Sequence, residues 1–401
     1  MSVKTNYKHT ICACYIGYTV QAIIVNFAPL LFLTFKNPDY YNIKTEQLTL
    51  LITVNFMTQL LVDFLAAKFA DSIGYRPLAV ASQIFAAVGL AGLGIFPGLF
   101  SDPYIGLLIA IILYAIGGGL MEVLISPIVE ACPTDASKKS ANMSLLHSFY
   151  CWGHVFVVIM STLFFTAAGI ENWKILACLW AVVPFLNAFY FSQVPISTLT
   201  KSGESVPIKK LVSSKMFWLL MLLMVCSGAS EQAMVQWASL FAEAGLKVTK
   251  TVGDLAGPCL FAILMGISRV FYSRVSEKIN LRMFIIGSGV LCVISYLLAS
   301  LSPNPVIGLI GCAMCGLSVG IMWPGTFSMA AAKCPKGGTA LFALLALGGD
   351  LGCSSGPTTV GLISGLADDN IKIGILTGII FPILLIVGLI LFTDRVKTPE
   401  A

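Results

Sequence analysis

Three acidic residues, Glu122, Glu231 and Asp350, and two histidines, His147 and His154, stand within long apolar runs of this 401-residue chain. A charge at the centre of a membrane helix costs roughly 2.5–3.5 kcal/mol on insertion scales, so such groups face a cavity or a partner. Glu122 is four residues from both Gly118 and Ser126, on one helical face, and these small neighbours leave room for water or a solute beside the carboxyl. A carboxyl in a partly dry cavity exchanges a proton when access switches sides, which couples protons to conformational change. Glu122 and Asp350 are therefore the proton-coupling candidates. For Glu122 the bland alternative is a structural hydrogen bond. Asp350, at four-residue spacing with Ser354 and Thr358, reads equally as a sodium ligand or an inter-helix lock.

Hydroxyl recognition needs imidazole, amide, carboxylate and phenol groups, with an aromatic face for C–H surface. His147, Tyr150, Cys151 and His154 share a face at i, i+3, i+4 and i+7, and Glu231, Gln232, Gln236 and Trp237 cluster beyond Gly228. Gln21, Asn26, Asn55 and Trp323 complete the candidate binding set with Glu122. Trp237 also fits an interfacial anchor, and His154 a buried structural histidine. Asn55, Gln59 and Asp63 form a polar stripe at four-residue spacing, and several convergent cations, as an anionic substrate would need, are lacking. No metal is assigned: Cys312 and Cys315 form a C-x-x-C within an apolar run with no nearby histidine, where thiols pack as small hydrophobes. Gly117–Gly119 lacks the Lys-Ser/Thr of a phosphate loop and reads as close helix packing. No cofactor motif accompanies any of these groups.

The elements that position them follow from composition. Hydrophobic residues make up 57% of the chain and charged ones 11%, which selects a bilayer as solvent. Twelve apolar runs of spanning length occur near 9–34, 46–67, 77–99, 103–130, 140–168, 173–193, 215–241, 252–275, 282–302, 305–331, 338–365 and 371–393. The expectation is an all-α membrane protein with both termini on one side. Of 24 Lys and Arg, 17 fall on that side, six on the other and Arg269 within a run. The positive-inside rule makes the terminal side cytoplasmic, in a plasma (inner) membrane, and disperses the net charge of +5 over short loops, so no nucleic-acid partner is implied. The first run is too long for a signal core and reads as a retained helix. The polar interruption around Pro195–Ser214 divides the chain into a six-helix bundle over 1–193, a cytoplasmic linker over 194–214 and a second bundle over 215–401.

The halves resemble each other. Residues 63–76 lie on 269–282 without a gap, pairing Asp71 with Glu277 and Arg76 with Arg282, and placing Arg269 opposite Asp63. Gly118, Ser126 and Cys132–Pro133 fall on Gly320, Ser328 and Cys334–Pro335, and Gly153 falls on Gly352. Three matches in chain order indicate duplication. Asp63…Asp71-x-x-Gly74-x-Arg76 resembles the loop motif between the second and third helices of the major facilitator superfamily, with Ala67 where the family has Gly. That resemblance implies a major facilitator fold of twelve transmembrane helices in two pseudo-symmetric halves. Asp63, Asp71, Gly74, Arg76, Arg269, Glu277 and Arg282 are then its gating set, with topological anchoring as the simpler role.

The segment Gly118-x-x-x-Glu122-x-x-x-x-Pro127 and His147-x-Phe149-x-x-x-Gly153 further resemble the fucose permease group of sugar–proton symporters, extended by Pro324, Phe327, Ser328 and Gly348–Gly349. Ser126 replaces an Asn there. The first helix offers Tyr18, Gln21 and Asn26 but not that group's carboxylate. The resemblance implies alternating-access uptake of a neutral hexose or related polyhydroxylated solute by a monomer, coupled to protons, with sodium coupling or uniport as alternatives. Export of amphipathic compounds, a membrane-embedded enzyme and a non-transporting sensor are the competing classes.

Overall fold

A computed structural model of the chain describes residues 3–133, 136–197, 211–275, 280–334 and 338–392. Every regular element among them is helical. The long helices of the first half are α1 (Tyr7–Asn26), α2 (Thr45–Ile73), α3 (Tyr75–Ile95), α4 (Pro103–Glu130), α5 (Ala136–Ala168) and α6 (Trp173–Gln193). Those of the second are α7 (Lys215–Val235), α8 (Leu260–Val275), α9 (Leu281–Leu301), α10 (Pro305–Val319), α11 (Gly338–Leu366) and α12 (Ile380–Phe392). Among the described residues, eleven stretches are long and apolar enough to cross a membrane. The twelfth, α11, carries Asp350 amid Gly, Ser and Thr, and its described part is too polar to count with them. Outward-facing Leu61, Phe64, Leu163, Leu186 and Phe189 are more than half exposed, as expected of helices whose solvent is lipid.

The helix starts follow capping rules. Asp102 and Asn304 accept from the amides of Tyr104 and Val306, each followed by a proline in the first turn, where a missing N–H costs nothing. Gly74 divides α2 from α3 with φ of 95°, a conformation that side chains resist.

The contacts divide the chain into two compact units, 1–47 with 54–201 and 48–53 with 202–401. In the first, α3 packs on α4 and α6, and α1 on α5 and α4; in the second, α9 packs on α10 and α12, and α7 on α11 and α10. The repeat-related glycines explain this shared pattern. A Cβ on Gly153 of α5 would sit 3.0 Å from Thr19 Cα of α1, and one on Gly352 of α11 would strike Val225 of α7 and lie 2.9 Å from Ala229 N. Small residues thus let the first and fifth helices of each unit approach to backbone contact, the main source of association between helices in lipid. Gly117 does the same for α4 on α3: its Cβ would meet Ser82 O at 2.5 Å and Ala86 N at 2.7 Å.

Several spans are interrupted beside polar groups. The first continues past Asn26 as a tight turn at Ala28–Leu31, and the tenth breaks between Val319 and Met322. The seventh ends at Val235, a π-turn at Phe241–Gly245 follows before the eighth, and the eighth contains a second π-turn at Leu255–Cys259 around Pro258. Such breaks are tolerated where protein rather than lipid surrounds the freed backbone.

Candidate functional site

In the first unit the polar residues of α1, α2, α4 and α5 converge. Gln21 of α1 donates through Nε2 to Gln59 Oε1 of α2 at 2.7 Å and to Glu122 Oε2 of α4 at 3.4 Å. Gln59 Nε2 in turn donates to Asn55 Oδ1 at 3.0 Å. Gly118 makes this possible, because a Cβ there would lie 2.8 Å from Gln21 Oε1 and 3.0 Å from Gln59 Oε1. One helical turn beyond, Tyr18 OH lies 3.3 Å from His147 Nδ1 and 3.5 Å from Ser126 Oγ, with the phenol and imidazole rings edge to face at 5.3 Å. His147 is exposed and Glu122 half-buried, so this wall keeps access to a solute.

Asp63 joins the same wall. It is buried, and one of its carboxylate oxygens lies within 4.8 Å of one from Glu122. Gly119 opens that approach, since its Cβ would stand 2.9 Å from Asp63 Oδ1. Two ionised carboxylates at that separation repel by roughly 3–4 kcal/mol at an effective dielectric of about 20. A positive charge between them removes that repulsion.

In the second unit Arg269 of α8 pairs with Glu231 of α7, Nη2 to Oε2 at 3.5 Å. Gln232 Nε2 donates to Glu231 Oε1 at 3.1 Å, and Gln236 Nε2 donates to Gln232 Oε1 at 3.0 Å. This chain of amides ends at a fixed aromatic: Trp237 is fully buried, with its indole N–H donated to Pro357 O at 2.9 Å. Trp237 therefore lies inside the unit. Trp323 packs against Phe327, ring centroids 6.2 Å apart, and occupies the space beside Gly349. Asp350, the next residue, is 8% exposed.

Asn26 turns away from these clusters. Asn26 turns its amide back to Ala22 O at 2.9 Å. His154 is buried at 2% exposure and Tyr150 is half-buried. Of the gating set, Arg76 donates Nη1 to Ser192 O at 2.7 Å, in the last turn of α6. Its repeat partner Arg282 donates Nε to Leu389 O at 3.1 Å and Nη2 to Ile390 O at 3.4 Å, near the end of α12. Each arginine thus caps the C-terminus of the sixth helix of its own unit, where the helix dipole favours a cation. The Asp71 side chain and Glu277 lie outside the described residues.

One cluster was missed from sequence. Ser239 Oγ donates to Asp254 Oδ1 at 2.5 Å, and Lys250 Nζ lies 3.0 Å from Asp254 Oδ2 and 3.3 Å from Glu243 Oε1. Lys250 and Asp254 are one helical turn apart, and the pairing was legible in that spacing alone. Cys292, Cys312 and Cys315 are fully buried, with 3.9 Å between the sulfurs of Cys292 and Cys315.

The chain has the fold of several solved transporters. A bacterial homologue of the human lysosomal transporter Spinster superposes with a TM-score of 0.78 at 13% identity, covering 98% of this chain and 99% of that one. The D-xylose–proton symporter gives 0.74 at 12% identity over 98% and 99%. The E. coli fucose:proton symporter gives 0.64 at 13% identity over 96% and 98%. No curated protein matches in sequence. The model of the Major Facilitator Superfamily matches residues 10–357. With that match over most of its length, the chain belongs to the Major Facilitator Superfamily and is a multi-pass membrane transporter rather than an enzyme.

Proposed function

We propose that this transporter takes up a neutral hexose or related polyhydroxylated solute, coupled to protons through Glu122, with both termini in the cytoplasm. The carrying observation is the wall of the first unit. Tyr18, His147, Ser126, Gln21, Gln59 and Glu122 present hydroxyl, imidazole, amide and carboxylate groups, linked to one another by hydrogen bonds. Such a surface exchanges hydrogen bonds with the hydroxyls of a neutral solute. The two similar folds named for fucose and xylose symport with protons agree in solute class.

Glu122 is suited to coupling because it is half-buried and bonded to Gln21 of α1, so its charge is felt by a helix that lines the solute wall. A solute seated against Tyr18 and His147 shares that helix. In purified protein reconstituted into liposomes, a hexose panel should give counterflow with at least one sugar, and in separate vesicles without preloaded sugar the outside addition of that sugar should acidify the interior, read by a pH dye. Glu122→Gln should keep counterflow and lose the proton signal. Counterflow without proton movement in the wild type removes the symport part; absence of counterflow with every neutral sugar removes the solute class.

A further inference from the structure

We propose that oxygens of Asp63, Glu122 and Gln21 form a seat for one small monovalent cation, an alkali ion or a proton shared by the two carboxyls. The proposal rests on Glu122 as the coupling group and assigns the second carboxyl to α2. Three observations place the seat. Oxygens of Asp63 and Glu122 come within 4.8 Å of each other, near enough for both to touch one bound cation. Gln21, 94% buried by its 6% exposure, donates its amide nitrogen to Gln59 and Glu122, which leaves its carbonyl oxygen buried without a hydrogen-bond partner. That oxygen stands 2.8 Å from the position a Cβ would take on Gly118, one turn before Glu122, and Asp63 Oδ1 stands 2.9 Å from that position on Gly119.

The consecutive glycines of α4 thus let an amide carbonyl and a carboxylate approach its backbone, with the Glu122 carboxyl one turn further on the same helix. A buried carbonyl with nothing to accept is costly, and a cation is the ligand that satisfies a carbonyl and two carboxylates together. Among the described residues, the titratable side chains that hydrogen bonds bring to the wall beside the two carboxyls are Tyr18 and His147, and His154 is buried further along α5. The polar groups on its α1 and α2 side are the amides of Gln21, Gln59 and Asn55.

The test uses the full chain, purified in detergent, with thermal unfolding followed by a thiol-reactive dye. Sodium chloride is titrated against choline chloride at fixed pH, and pH is stepped at zero sodium, for wild type, Asp63→Asn, Glu122→Gln and Gln21→Leu. A saturable sodium stabilisation that weakens tenfold or more in all three variants supports the seat with an alkali ion. No sodium effect, but an acid stabilisation that Asp63→Asn removes as completely as Glu122→Gln, supports it with a shared proton. The proposal is overturned by wild-type responses in Asp63→Asn, by a full sodium response in Gln21→Leu, or by no response to either cation in the wild type. If Asp63→Asn does not purify as a single species, Gln21→Leu and Asp63→Glu carry the comparison. Hexose counterflow measured on the same samples separates the two proposals: counterflow without a cation response sinks the seat alone, and the reverse sinks the solute reading alone.

Discussion

Lys250→Met probes the cluster at the start of the eighth span. Lys250 sits between Asp254 at 3.0 Å and Glu243 at 3.3 Å, with side-chain exposures of 20% for Lys250, 0% for Asp254 and 11% for Glu243. Breaking a buried pair by removing one partner costs about 3–5 kcal/mol, because the other charge is stranded. The partial exposure of Lys250 admits some water, so the low end applies, and the loss should be about 3 kcal/mol. Asp254→Asn in the same chain removes the stranded charge and leaves an oxygen for the Ser239 hydroxyl, so the double variant should regain about 2 kcal/mol over Lys250→Met alone. The measurement is SDS-induced unfolding in mixed micelles, read by helical signal at neutral pH. A Lys250→Met protein within about 0.5 kcal/mol of wild type would mean that the pair is effectively solvated. A double variant as unstable as the single one would refute the stranded-charge reasoning.

The same cluster carries a pH dependence. Glu243 lies between two spans, and burial pushes its carboxyl above the ordinary value of 4.5, against the pull of Lys250 and with the help of Asp254. A raised folded-state value stabilises the fold fully below the ordinary one and loses that contribution as pH rises through the raised one. The unfolding midpoint should therefore fall as pH climbs from about 4.5, and Glu243→Gln should flatten that slope; an unchanged slope excludes Glu243 as its source. Trp237→Phe leaves Pro357 O without its indole donor and should cost about 1–3 kcal/mol by SDS titration, with solute counterflow as the separate functional readout. Gly117→Val drives a side chain into the backbone of α3 at Ser82 and Ala86, and monodisperse yield on size exclusion should collapse. Tyr18→Phe removes the hydroxyl shared with His147 and Ser126, and solute affinity by counterflow competition should fall about tenfold while the unfolding midpoint stays near wild type.

Hydropathy exposes the helices because a lipid solvent demands long apolar runs, and among the described residues eleven stretches carry that signal without help from packing. The repeat shows more than helix count. Gly153 and Gly352, aligned by sequence, both bring a fifth helix against a first, and Arg76 and Arg282 both cap a sixth. What hydropathy cannot carry is direction around a helix between polar groups of similar spacing. Asn26 and Gln21 lie on the same helix, five residues apart, yet Asn26 satisfies itself on Ala22 O while Gln21 reaches Gln59 and Glu122. The choice is made by Gly118, on another helix, which leaves the gap that Gln21 fills.

Asp63 shows the same limit in stronger form. Its place in a loop motif and its alignment with Arg269 assign it to gating, and the duplication gives it a counterpart without showing which neighbour it meets inside its own unit. That neighbour is set by Gly119, a residue whose lack of a side chain lets α2 carry Asp63 to the carboxyl of Glu122. In a lipid-embedded bundle, then, the polar residues name the chemistry, and the glycines facing them decide which polar residues meet. The glycine spacing on α4 is therefore the part of this sequence that carries most information about its site: Gly118 admits the amides, Gly119 admits the second carboxyl, and Glu122 follows on the next turn.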